Sequence, residues 1–238
     1  MTTLSPHPGP GRRAAPSRLP ADQLYARLLA TAVQHAAGGG PPVSRVLLRS
    51  ANGGSQRLPL ERWLAPTTPA DDRIVDRVAG PVLDVGCGPG RLLEALAAAG
   101  KDALGVDLVA TAVGIANARG GRAVHGSIFS DVPRAGRWAT ALLLDGNIGI
   151  GGSPAALLAR VAAVLAPAGE AVVEVDPPGF PTHTTQVRLE SAGAVSDWFA
   201  WGRVSADAIE PIARRAALAT ADVFEDDGRW FAGLRRAG

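Results

Sequence analysis

Lysine is almost missing from these 238 residues: Lys101 is the single one, and arginine supplies the rest of the positive charge. Aromatic residues make up only 5%, and there are one cysteine and four histidines. Each shortage excludes something. A lone Cys87 cannot close a disulfide within the chain, and no Cys/His cluster has the spacing of a zinc site. Arginines without interleaved aromatics make a poor nucleic-acid face. No apolar run approaches the roughly 18 residues that a membrane helix needs. No apolar core follows the first charges, as a secretory signal requires. These absences lead to the expectation of a cytoplasmic protein with neither a membrane nor a nucleic acid as partner.

The net charge of +2 conceals an asymmetry. Residues 1–65 carry eight arginines against Asp22 and Glu61, so the remainder of the chain is net acidic. That basic third reads either as a solvated segment or as a cap attracting an anionic substrate.

What the chain does have is glycine, most tellingly in Pro81-Val82-Leu83-Asp84-Val85-Gly86-Cys87-Gly88-Pro89-Gly90-Arg91. Val82 to Val85 has the length and β-branched content of a buried parallel strand. Leu92, Leu93 and Leu96 then recur at helical spacing up to Gly100. A strand, a glycine turn and a helix are the context in which a glycine motif carries meaning. Glycines there let the chain turn sharply and let a ligand approach the backbone. A dinucleotide fingerprint would need glycine at position 91, where Arg91 stands.

In chain order, residues 1–20, with five prolines, read as a disordered lead. Residues 21–80 read as an extension or cap. It starts with a helix from Ala21 to Ala37, ended by Gly38-Gly39-Gly40-Pro41-Pro42. A hairpin around Asn52-Gly53 follows, then a helix capped by Thr68 with Pro69 at its first position. From Pro81 strands and helices alternate, the signature of a doubly wound parallel sheet. Its further strands are Ala103–Asp107, Ala123–Ile128, Trp138–Leu144 and Gly169–Val175, with a helix from Ser153-Pro154 to Ala166. Antiparallel segments are expected at 186–189 and 198–204, and a helix from about Ser205 that Pro211 disturbs. The chain closes on a hairpin turning at Glu225-Asp226-Asp227-Gly228. The fold class is therefore α/β, with a mostly parallel seven-stranded sheet, helices on both faces and a C-terminal β-hairpin. Residues 81–238 form the ligand-binding domain.

The spacing Asp84, Gly86, Gly88, Gly90 resembles the first motif of class I S-adenosylmethionine (SAM) dependent methyltransferases, and the terminal hairpin is similar to theirs. The resemblance implies SAM as cofactor, held by Asp84, Gly86, Cys87, Gly88 and Gly90. Asp107, which ends the second strand, would take the ribose hydroxyls, with Leu108 against the adenine. Ser127 stands where the family usually has an acid near the adenine amino group, beside Ile128 as an apolar clamp. It also implies methyl transfer to an oxygen or nitrogen of a small molecule.

Asp145 ends the fourth strand before Gly146-Asn147-Ile148-Gly149-Ile150-Gly151-Gly152, on the edge that faces the reacting groups. Asp145 is thus a candidate for both cofactor contact and catalysis, and Asn147 for substrate contact. His183, in a loop expected on that edge, is the candidate general base. Trp198 and Trp201, in the densest aromatic cluster, are candidates for an apolar substrate wall or for ordinary packing. Asp176-Pro177-Pro178-Gly179 resembles the motif of amino-group methyltransferases. It ends the fifth strand instead of the fourth and lacks the aromatic, so it reads as a rigid turn. Two alternatives stand beside the metal-independent reading. One is a Mg²⁺-dependent catechol-type enzyme using Asp145 and Asp176, although Pro177 stands in for an asparagine ligand. The other is a protein that binds SAM without transferring its methyl group.

Overall fold

The computed structural model describes residues 16–38 and 45–236. Strand β1 (Ser17–Leu19) leads into helix α1 (Ala21–Ala36), and the hairpin β2 (Leu47–Ser50) and β3 (Ser55–Arg57) follows. Two helices, α2 (Leu60–Leu64) and α3 (Pro69–Arg77), precede the alternating region. That region runs β4 (Val82–Val85), α4 (Arg91–Ala98), β5 (Ala103–Asp107), α5 (Ala110–Ala118), β6 (Ala123–His125) and β7 (Trp138–Leu143). A 3-10 stretch (Asn147–Gly152), broken at Ile150 and Gly151, leads to α6 (Pro154–Val164) and β8 (Leu165–Val175). Then come β9 (His183–Ser191), β10 (Ala194–Ser196), β11 (Phe199–Arg203), α7 (Ile209–Arg215), β12 (Leu218–Asp226) and β13 (Arg229–Arg236).

The main sheet has seven strands in the order β12-β13-β8-β7-β4-β5-β6. Strands β8, β7, β4, β5 and β6 are parallel, and β13 and β12 add an antiparallel edge. The chain leaves β4 for β5 on one side and returns to β7 on the other. The carboxyl ends of β4 and β7 therefore border the switch point, where open α/β sheets bind ligands. In β4 alternate residues serve opposite layers. Leu83 and Val85 pack into the core that includes α6 and α7, while Val82 joins Ile74, Leu93 and Leu96. Asp84 shares the second face and is 2% exposed.

A second sheet, in the order β1-β10-β9-β2-β3 with β11 also paired to β9, is built from three chain-distant segments. A third core joins it to α1, α2 and α5 through Leu24, Leu28, Leu29, Leu60, Val109 and Leu189. β11 packs against the 3-10 stretch after β7. Thus the N-terminal region and the 183–203 segment together roof the switch point of the main sheet.

Several expectations change. Residues 1–15 of the lead, with His7, lie outside the described residues, but Ser17–Leu19 is a strand paired in parallel with β10. The Gly39 to Pro42 stop signal also lies outside them. α1 ends at Ala36, the third parallel strand at His125 and the fourth at Leu143, while the fifth begins at Leu165. Pro211 sits in the first turn of α7, which starts only at Ile209, so its missing N–H breaks no helical bond. At α3 the cap is a reciprocal box: Thr68 Oγ1 accepts from the Asp71 N–H, and Asp71 accepts from the Thr68 N–H.

Candidate active site

A cavity of about 1000 Å³ opens at the switch point, between the carboxyl ends of β4, β5 and β7 and the second sheet. The turn after β4 forms its floor. Gly86, Gly88 and Gly90 all have positive φ, at 70°, 52° and 82°. Their surroundings differ. A Cβ on Gly90 would lie 2.5 Å from the Ala116 Cβ, and one on Gly86 2.9 Å from the Asn147 amide nitrogen. A Cβ on Gly88 would meet only the Tyr25 hydroxyl, at 3.6 Å. Only Gly88 therefore keeps its flank open toward the cavity. Gly90, expected at the cofactor, does not line the cavity and instead lets α4 pack against α5.

Asp107 ties the floor together. Its Oδ2 accepts the Gly88 N–H at 2.9 Å and its Oδ1 the Val109 N–H at 2.8 Å. Burial raises its pKa although these two bonds oppose the rise. Leu108 and Phe129, 58% and 47% exposed, flank a slot with Ser127 and Ile128, and Ser127 Oγ accepts the Phe129 N–H. Cys87 also lines the cavity.

Unpartnered polar atoms concentrate here. Among the described residues, six buried side-chain nitrogens or oxygens lack a hydrogen bond, and five line this cavity. Arg62 Nε, Arg62 Nη2 and Trp63 Nε1, on α2, are donors; Asp84 Oδ2 and Asp145 Oδ1 are acceptors. Arg62 Nη2 and Asp145 Oδ1 face each other as an ion pair, which leaves Arg62 Nε, Trp63 Nε1 and Asp84 Oδ2 with no partner. A buried orphan costs about 1–3 kcal/mol, so three in one space mark a site shaped for a polar occupant. Burial first, then the nearby Asp145 carboxylate, pushes the Asp84 pKa up to about 7, with Arg91 opposing.

Asp145 lies in the cavity, but guanidiniums surround it. Arg91 Nη2 stands 2.6 Å from its Oδ2, Arg62 Nη2 3.4 Å and Arg229 Nη2 3.7 Å from its Oδ1. Its backbone has φ 55°, and its N–H donates to Glu174 Oε2 at 2.6 Å. Arg91, 4% exposed, also bonds to the fully buried Asp71, which accepts from Arg229 as well. Burial works against ionisation of Asp71, but the Thr68 N–H, Arg229 and Arg91 outweigh it and bring its pKa to about 2. The expected catalytic carboxylate is thus one member of a buried charge network.

Asn147 lines the cavity, but its amide is engaged: Nδ2 donates to the carbonyls of Val85, at 2.8 Å, and Gly86, at 3.0 Å. It fixes the glycine turn from above. Trp201 lines the cavity wall, whereas Trp198 lies outside it under Arg188, at 4.7 Å. His183 is also outside, lining a smaller adjoining cavity with Nδ1 at 2.7 Å from the Pro181 carbonyl. Asp176 lines the main cavity as a bidentate partner of Arg203. Sequence reasoning missed Tyr25, Arg62, Trp63 and Arg203. The first three share one sequence signal, the basic, aromatic-bearing extension, and Arg203 on β11 has none, because contacts between distant segments leave no local pattern.

Residues 82–169 match a methyltransferase domain family. A search of curated proteins gives no match. Among solved structures, a SAM-dependent methyltransferase from Bacteroides fragilis in complex with S-adenosylhomocysteine superposes with a TM-score of 0.75 at 19% identity, covering 94% of this chain and 99% of that one. A 1,6-didemethyltoxoflavin N1-methyltransferase from Burkholderia thailandensis gives 0.55 at 17% identity, over 99% and 100% of the two chains. An amino pentose methyltransferase from Micromonospora echinaspora, with SAM bound, gives 0.54 at 19% identity, over 74% and 94%. Residues 82–169 thus match a methyltransferase domain, and the fold is shared with SAM-dependent methyltransferases.

Proposed function

We propose that this SAM-dependent methyltransferase holds its cofactor in the main cavity and methylates a nitrogen or oxygen of a small molecule without a metal ion. The observation that carries the reading is the set of unpartnered atoms in one cavity: the donors Arg62 Nε and Trp63 Nε1 on α2 and the acceptor Asp84 Oδ2 on β4. The methionine end of SAM is a zwitterion and needs both. Arg62 and Trp63 would take its carboxylate, and Asp84 its ammonium. Asp107 would take the ribose hydroxyls through the lone pairs left beside its two amide bonds. Leu108, Ile128 and Phe129 would enclose the adenine.

When bound, the cofactor supplies an electrophilic sulfonium methyl group. The chain's own work is then positioning and exclusion of water. The roof of α1, α2 and the second sheet stands over the floor, and Trp201 and Phe199 offer the acceptor an apolar wall. The titratable groups indicate what sort of nucleophile enters. Asp145 and Asp176 are both committed to arginines, and His183 is outside the cavity. Such a site suits an amine that arrives with its lone pair free better than a hydroxyl needing a base. The same commitment leaves a Mg²⁺ ion a poor set of oxygen ligands, which supports the metal-independent reading. The similar structures of a 1,6-didemethyltoxoflavin N1-methyltransferase and an amino pentose methyltransferase agree with a small-molecule acceptor.

The test is calorimetry with S-adenosylhomocysteine. Binding in the micromolar range is expected, with no binding of NAD. Asp107→Ala should weaken it by about 1.5–3 kcal/mol, as hydrogen bonds to a charged group are lost. NAD binding without S-adenosylhomocysteine binding would overturn the reading.

A further inference from the structure

The inner face of the second sheet runs past the main cavity. On β11, Phe199, Trp201 and Arg203 share one face of the strand, and their cross-strand partners on β9 are Val187, Thr185 and His183. Phe199, Trp201 and Arg203 line the main cavity, and Trp201 and Arg203 also line a second one of about 250 Å³. Leu48 and Gln56 are shared in the same way. The two spaces therefore have a common wall. The smaller lies below the roughly 300–1,000 Å³ of a site for a whole drug-sized ligand, so it suits one part of a larger molecule.

We propose that the smaller cavity binds the remote, non-reacting part of the methyl acceptor, and that this part is an uncharged, hydroxyl-bearing ring such as a sugar. The proposal rests on the methyltransferase reading of the main cavity. The lining chemistry selects the class. Its polar groups include the hydroxyls of Ser50, Ser55 and Thr185 and the amide of Asn52, all neutral donors and acceptors. Ser50 Oγ and Thr185 Oγ1 lie 3.0 Å apart and keep further hydrogen-bonding capacity. Among the described residues no carboxylate lines this cavity, so none of them matches a cationic group. The guanidinium of Arg203 is taken up by Asp176 on two sides, and its Nη1 donates to Gln56 Oε1 at 2.9 Å. A free anion therefore finds no unpaired charge. Phe180 and Trp201 supply aromatic surface for the apolar edges of a ring. His183 adds a ring nitrogen: Nδ1–H donates to the Pro181 carbonyl, which leaves Nε2 for a hydrogen bond with a hydroxyl.

The experiment uses the full chain saturated with S-adenosylhomocysteine and reads fragment binding by ligand-observed NMR. The probes are methyl glucoside, methyl phosphate and butylammonium. Methyl glucoside alone should bind, and Thr185→Val and Asn52→Ala should each weaken it at least 5-fold while S-adenosylhomocysteine affinity stays unchanged. Equal binding to the wild type and both variants, no binding of methyl glucoside, or preference for either charged probe would overturn the proposal. The S-adenosylhomocysteine titration of the same samples reports separately on the main cavity, so failure of one reading is distinct from failure of the other.

Discussion

At the residue scale the site is governed by how completely each polar atom is satisfied. Asp84 is the sharpest case: 2% exposed, with one oxygen unpartnered, and a pKa pushed up to about 7 by burial. A cationic ammonium binds the carboxylate form and excludes the proton. Below pH 7 binding must therefore release a proton, and affinity should climb as the pH rises to about 7 and level off above it. The slope approaches tenfold per pH unit on the acid side. Calorimetry with S-adenosylhomocysteine from pH 5.5 to 8.5 measures this directly, and a flat profile would remove Asp84 from the ammonium contact. The position of Asp84 is legible in the sequence because a strand end and a glycine turn are local patterns. Asp145 is legible in the same way as an acid ending β7. That it stands among Arg62, Arg91 and Arg229 is not, since those arginines come from α2, α4 and β13. Trp198 and Trp201 show the limit of composition: three residues apart, they lie on opposite sides of the wall.

At the scale of elements, the buried charge network is the joint between the alternating core and its additions. Asp71 begins α3, Arg91 begins α4, Asp145 follows β7, Glu174 lies on β8 and Arg229 opens β13. Arg91 thus has a positive task at the position where a dinucleotide site would need glycine. Arg91→Met should leave Asp71 and Asp145 short of a partner in the interior, at a cost of about 3–5 kcal/mol. A urea titration measures the loss. A change under about 1 kcal/mol would mean that Arg229 alone compensates both carboxylates. The main sheet and its hairpin were readable in the sequence, since parallel strands buried on both faces are continuous apolar runs. β1, β10 and α2 were not. With three, three and five residues they are too short for a period to register, and only tertiary partners hold them in place.

At the scale of the whole molecule, the cavity exists because segments 17–36, 47–64 and 183–203 meet over the core. The roof contributes the donors Arg62 and Trp63, and the floor contributes Asp84 and Asp107. A ligand that pairs both sets adds to the apolar contacts and the ion pairs Arg62–Asp145 and Arg203–Asp176 that already join the two layers. Ligand at a hundred times its dissociation constant stabilises the native state by about 2.7 kcal/mol. For a chain of this size each kcal/mol raises the midpoint by about 2–4 °C. S-adenosylhomocysteine should therefore shift thermal unfolding by roughly 5–11 °C. Where the protection falls is the discriminating measurement. Hydrogen exchange should slow in residues 60–64 and 21–36 as well as in 84–91 and 107–109, because donors and acceptors on both sides gain partners together. Protection confined to the floor would show that α2 does not reach the ligand. Arg62 and Trp63 would then be left to the acceptor, and the carboxylate contact would have to come from elsewhere in the cavity wall.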